Sequence, residues 1–137
     1  MGKNILVTII GILGSAITSI FGGWSAAMTT LVIFMAIDYL TGLITAGVFH
    51  KSTKTDSGTL ESRAGFKGLC RKGAMLLIVL VACRLDLTLS TTYIKDAVII
   101  AFIANETISI IENAGLMGVP IPDTIKNAID VLQKNVK

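Results

Sequence analysis

Apolar positions dominate the first third of the chain without relief. From Ile5 to Phe49 there is no Lys, Arg or Glu, and the one acid is Asp38. At about 1.5 Å rise per helical residue, roughly 20 apolar residues span a bilayer, so this stretch is long enough to cross twice. Its break falls at Phe21-Gly22-Gly23-Trp24, a glycine turn signal beside an interfacial aromatic. The pattern predicts helices over 5–20 and 25–49. Gly11, Ser15 and Ser19 recur every four residues in the first, giving it one small face of the kind that lets membrane helices approach closely. In the second, Asp38, Thr41, Gly42, Thr45 and Ala46 share a small, polar face, while Leu31, Ile33, Phe34 and Ile37 supply apolar area elsewhere.

The remaining segments are less uniform. Residues 50–72 form the one long hydrophilic stretch, expected as a basic loop. Ala74 to Cys83 is unbroken and apolar before Arg84 and Asp86 intrude. Extended over 73–92, this segment crosses a bilayer; as a short apolar run it fits a re-entrant or interfacial piece instead. The next predicted helix covers 94–114. Its Asn105, Glu106, Ser109, Glu112 and Asn113 recur at spacings of three, four and seven and so mark one face. Gly115, Gly118 and Val119-Pro120-Ile121-Pro122 end it. Over 123–136, Ile125, Ala128, Ile129, Leu132 and Val136 lie on one side of an amphipathic helix suited to a membrane surface.

Composition strengthens the membrane reading. The 137 residues are 53% hydrophobic and 15% charged, against about 25% charged in an ordinary soluble domain. The expected fold is an all-α integral membrane protein of about four transmembrane helices plus a short C-terminal amphipathic helix, in a single domain. The net charge of +3 matters through its placement. Lys51, Lys54, Arg63, Lys67, Arg71 and Lys72 crowd the middle stretch, which the positive-inside rule places in the cytoplasm. Two crossings then put Lys3 inside, and two more return Lys126, Lys134 and Lys137 to the same side. If their segment is helical, Arg63, Lys67 and Arg71 form one basic stripe; with Lys72 they are expected to face lipid headgroups, each contributing about 1 kcal/mol near an anionic leaflet. A cleavable signal peptide is weakly mimicked by Lys3, the apolar run and Ser25-Ala26-Ala27, but further apolar segments favour a retained helix.

Candidate chemistry is sparse. Cys70 and Cys83 make no disulfide framework, and His50 stands alone at a segment end. There is no phosphate loop, Ser-His-Asp set or metal spacing, Gly65-x-x-Gly68 is too short to signify, and the basic patch holds one aromatic, Phe66. Catalysis, cofactors and nucleic acid are therefore not expected. What does stand out is the buried charge. An Asp at a helix centre costs about 2.5–3.5 kcal/mol to insert, so Asp38 offsets roughly six aliphatic residues and should face protein or water. The same holds for Glu106, and for Arg84 unless it snorkels outward. Either Asp38, Arg84 and Glu106 pair across helices and fix packing, or these groups with Thr41, Asn105 and Ser109 line a wet path when subunits assemble. A small transporter or ion-channel subunit is the competing class, since membrane acids also carry protons or cations; no internal repeat supports it.

Three elements now in hand resemble a known family. They are Asp38-Tyr39-Leu40-Thr41-Gly42; then Ser62, Gly65, Lys67-Gly68 and Arg71-Lys72; then Glu106-x-x-Ser109-x-x-Glu112-Asn113 followed by Gly118-Val119-Pro120-Ile121-Pro122. In order and spacing, from about Asp38 to Leu132, they are similar to the phage holin family that includes clostridial toxin-secretion holins. The resemblance implies a non-enzymatic homo-oligomer in the bacterial inner membrane that forms lesions for an endolysin or a toxin. It adds a pore or oligomer role to the polar face of Asp38, Thr41, Gly42, Arg84, Asn105, Glu106, Ser109, Glu112 and Asn113.

Overall fold

The computed structural model describes residues 1–136, with the side chain of Val136 left aside; Lys137, one of the expected cytoplasmic charges, lies outside the described residues. Five helices follow one another: α1 (Gly2–Ile20), α2 (Ala26–Gly47), α3 (Ser62–Leu89), α4 (Tyr93–Leu116) and α5 (Asp123–Val136). Among the described residues there is no strand. α1 and α2 are each long and apolar enough to cross a membrane.

Glycine ends α1 because the chain there must turn left-handed. Gly22 and Gly23 have φ of 73° and 108°, a region open to glycine and strained for other residues. Their N–H groups donate to the carbonyls of Ser19 and Thr18, capping the helix. Ser25 then opens α2 by accepting the Met28 N–H at 3.2 Å. Between them Trp24 stacks edge-on against Phe21 and donates its indole N–H to Thr29 at 2.8 Å.

α3 begins well before position 73. Residues 62–72, expected as loop, are its first three turns, so the connecting loop shortens to 48–61. Gly65 and Gly68 looked like loop residues because glycine disfavours helix interiors. Here they are packing sites. A Cβ on Gly65 would stand 3.3 Å from the Tyr39 hydroxyl, and one on Gly68 would touch the Tyr39 ring at 3.8 Å. The Tyr39 hydroxyl donates to the Gly65 carbonyl across this contact at 3.4 Å. The 48–61 loop is folded upon itself: Ser52 N–H donates to the Gly58 carbonyl, and Thr55 to that of Thr59.

α3 also ends earlier than position 92, at Leu89, with Ser90 in the left-handed conformation. Asp86 explains the turn that follows. Its carboxylate accepts the N–H groups of Ile94 and Lys95, at 3.1 and 2.8 Å, and the Thr91 hydroxyl. A carboxylate from one helix thus caps the next, satisfying orphan donors at the positive end of the α4 dipole. α4 ends at Leu116; just beyond it Gly118 has a φ of 81°, and Val119 N–H returns to the Ala114 carbonyl. α5 folds back onto α4, burying Ile129.

α4 packs most extensively on α2, then on α3. Met28, Leu31, Met35, Val79, Cys83 and Ile99 form the apolar core of this three-helix unit. The Phe21–Ser25 turn lies at the Ser90–Thr92 end, since a Cβ on Gly22 would sit 3.1 Å from Leu87. α1 buries no residue: Ile5, Val7, Ile12 and Leu13 are all more than half exposed.

Candidate functional site

Beyond the apolar core, α2, α3 and α4 meet through charge. Asp38 lies in mid-α2 because the Leu31 and Met35 face, continued by one and two turns, brings it inward; it is 5% exposed. Glu106, on α4 one turn beyond Phe102 and Ile103, is 2% exposed. Lys72 of α3 reaches between them. Its ammonium is 2.7 Å from Asp38 Oδ2 and 2.6 Å from Glu106 Oε2.

Asn113 completes the cluster. Its amide nitrogen lies 3.1 Å from Asp38 Oδ1, 3.2 Å from the Asp38 carbonyl and 3.0 Å from Thr41 Oγ1. One side chain of α4 thereby holds both the carboxylate and the backbone of α2. Thr41 in turn donates to the Ile37 carbonyl, and the buried Thr45 to the Thr41 carbonyl. Gly42 faces the cluster: a Cβ there would stand 3.7 Å from Asn113 Nδ2, an ordinary van der Waals contact. Among the described residues, no buried side-chain nitrogen or oxygen lacks a partner.

The cluster forms the floor of a groove of about 570 Å³. Its walls come from the second half of α2, the first half of α3, α4 and the 48–61 loop, and Ser109 and Lys54 line it with the cluster. Two carboxylates share one ammonium at the floor, and Lys54 stands over it near Gly42.

Two sequence expectations are corrected. Lys72, expected with Arg63, Lys67 and Arg71 among the lipid-facing cations, instead turns inward as the cation of the cluster. Burial of two acids calls for a positive partner, and Lys72 follows Gly65 and Gly68 by seven and four residues, on the same inward helical face. That spacing was the available signal. Arg84, expected among the polar face and as a partner of the acids, is exposed and forms no ion pair among the described residues. It lies twelve residues, more than three helical turns, beyond Lys72 toward the α3 C-terminus. Asn105 and Glu112 are also exposed, although both edge the groove. Asp38, Thr41, Gly42, Glu106, Ser109 and Asn113 converge at the cluster or its groove.

The three sequence elements that resemble holins thus supply one site: Asp38, Lys72, and Glu106 with Asn113, from three different helices. Comparison with known proteins bears out the family resemblance. The bacteriophage holin family matches residues 15–134. An uncharacterized 14.9 kDa protein encoded in the nagH 3' region of Clostridium perfringens is 40% identical over 122 residues, covering 88% of this chain and 86% of that protein. An uncharacterized protein of Listeria innocua is 40% identical over 123 residues, covering 88% and 82%. A probable holin of Bacillus phage phi105 is 31% identical over 106 residues, covering 77% of this chain and 73% of the phage protein. No solved structure matches the chain. With a family match across most of its length, the chain belongs to the bacteriophage holin family.

Proposed function

We propose that the protein acts as a holin in the bacterial inner membrane, crossing it four times with both termini in the cytoplasm. Copies accumulate, assemble and open lesions through which an endolysin, or a toxin, leaves the cell. The role is one of assembly, without a catalytic step.

The observation that carries this reading is the closed ion cluster. Inside one chain, Lys72, Asp38, Glu106 and Asn113 satisfy one another, while the outward positions of the same helices are apolar: Ile33 is 49% exposed, Leu77 63% and Ile78 51%. A chain of this kind is stable in lipid, because an unpaired acid there costs several kcal/mol. A lesion has the opposite need, since its wall must be wet. The residues that lock the closed chain are then the ones that line the open assembly, and triggering is an exchange of their partners. α1, which buries no residue, leaves a further surface for contacts between copies.

The test is induced expression in a bacterium carrying a cytosolic muralytic enzyme, following optical density and viability. The expected result is abrupt lysis after a quiet interval, dependent on that enzyme. Normal growth at confirmed membrane levels of the protein contradicts the reading.

A further inference from the structure

The first half of α3 carries more positive charge than the ion cluster uses. Arg63, Lys67 and Arg71 are exposed and, among the described residues, form no ion pair, while all three line the groove. At spacings of four they share one helical face. That face does not stop at Arg71. Steps of three and four continue it through Ala74, Ile78, Val81 and Leu85, each exposed and each apolar. Lys72, one residue on, belongs to the opposite, inward face.

One continuous outward face is therefore cationic at one end and apolar at the other. Its dimensions are informative. Arg63 to Arg71 rises about 12 Å and Ala74 to Leu85 about 16 Å, the latter close to half of a hydrocarbon core of about 30 Å. The apolar part matches the depth of one leaflet, and the basic part stands at and beyond the headgroup layer. Two guanidinium groups add forked donors that suit phosphate oxygens.

We propose that this face of α3 is a binding site for an anionic phospholipid of the cytoplasmic leaflet. The headgroup phosphate meets Arg63, Lys67 and Arg71 at the groove, and an acyl chain lies along Ala74, Ile78, Val81 and Leu85. The proposal rests on the membrane placement of α3 and is independent of lesion formation.

The test uses the full chain in detergent micelles supplied with phosphatidylglycerol or phosphatidylcholine, with retained lipid counted by native mass spectrometry. The unaltered chain is expected to retain phosphatidylglycerol preferentially. Each cation contributes roughly fivefold near an anionic surface, so R63Q/K67Q/R71Q is expected to lose retention on the order of 100-fold with helicity unchanged. R63K/R71K, which keeps the charge, is expected to hold most of it. Equal retention of the two lipids by the unaltered chain, or undiminished retention by the triple variant, overturns the proposal. Displacement of the lipid by excess inorganic phosphate also overturns it, assigning the cations to a free anion. Incorporation into phosphatidylcholine discs reads the membrane placement separately: a chain that enters them yet shows no lipid preference refutes the site alone.

Discussion

Lys72 is the residue on which the closed arrangement turns. Among the described residues it is the one cation paired with the two buried carboxylates, and the pairing distances of 2.7 and 2.6 Å leave no room for water between them. Removing one partner of a buried pair typically costs about 3–5 kcal/mol, chiefly through the charge left behind. Lys72→Ala should lower stability by about that amount in a denaturant titration of the detergent-solubilised chain. Adding Glu106→Gln should restore part of the loss, because it removes an uncompensated acid; strict additivity of the two losses would show that the residues do not share one network. The sequence displayed both acids and the α4 face with Asn113, since an acid in an apolar run announces itself. It hid their partner. Lys72 sits in a basic run, where its charge looked like one more headgroup contact, and Arg84 sits in an apolar run, where its charge looked buried. Local composition cannot distinguish two lysines on opposite faces of one helix; only the phase relative to Gly65 and Gly68 does.

At the scale of elements, glycine placement and one carboxylate decide how α2, α3 and α4 join. Gly65 and Gly68 both face Tyr39, Gly65 the more closely, so a side chain larger than a methyl group there presses on the ring between α2 and α3. Gly68→Val should cost about 1–3 kcal/mol through overpacking. Gly73→Ala, with open space around its Cβ position, should stabilise by up to about 1 kcal/mol through helix propensity. Equal effects of the two in the same unfolding titration would remove the packing role. Asp86 joins α3 to α4 by capping. Asp86→Ala should speed amide hydrogen exchange at Ile94 and Lys95 while leaving the middle of α4 protected; unchanged exchange at those two amides would show that the cap contributes nothing. The apolar helices were legible because length and period suffice for them. The first turns of α3 were not, because glycine, serine and charge signal a loop until a neighbouring aromatic gives the glycines a reason.

For the whole molecule, the groove with the 48–61 loop and the Phe21–Ser25 and Ser90–Thr92 turns lie at opposite ends of the helices. Four crossings require that these ends face opposite sides of the membrane. In a Cys70→Ser background, a cysteine replacing Thr91 should react with an impermeant thiol reagent added to intact spheroplasts, and one replacing Asp56 should react only after lysis. Labelling of both from outside would exclude the four-span arrangement. On the proposed function, the buried cluster holds the chain closed until copies exchange polar contacts. The most direct measurement is the onset time of lysis for Asp38→Asn and Glu106→Gln at membrane levels matched to the unaltered chain, with the muralytic enzyme present. Each neutralisation weakens the grip of Lys72, so both variants should lyse on a shifted schedule while retaining the abrupt onset. If both lyse at the unaltered time, the cluster is packing alone and the lock must be sought elsewhere in the molecule.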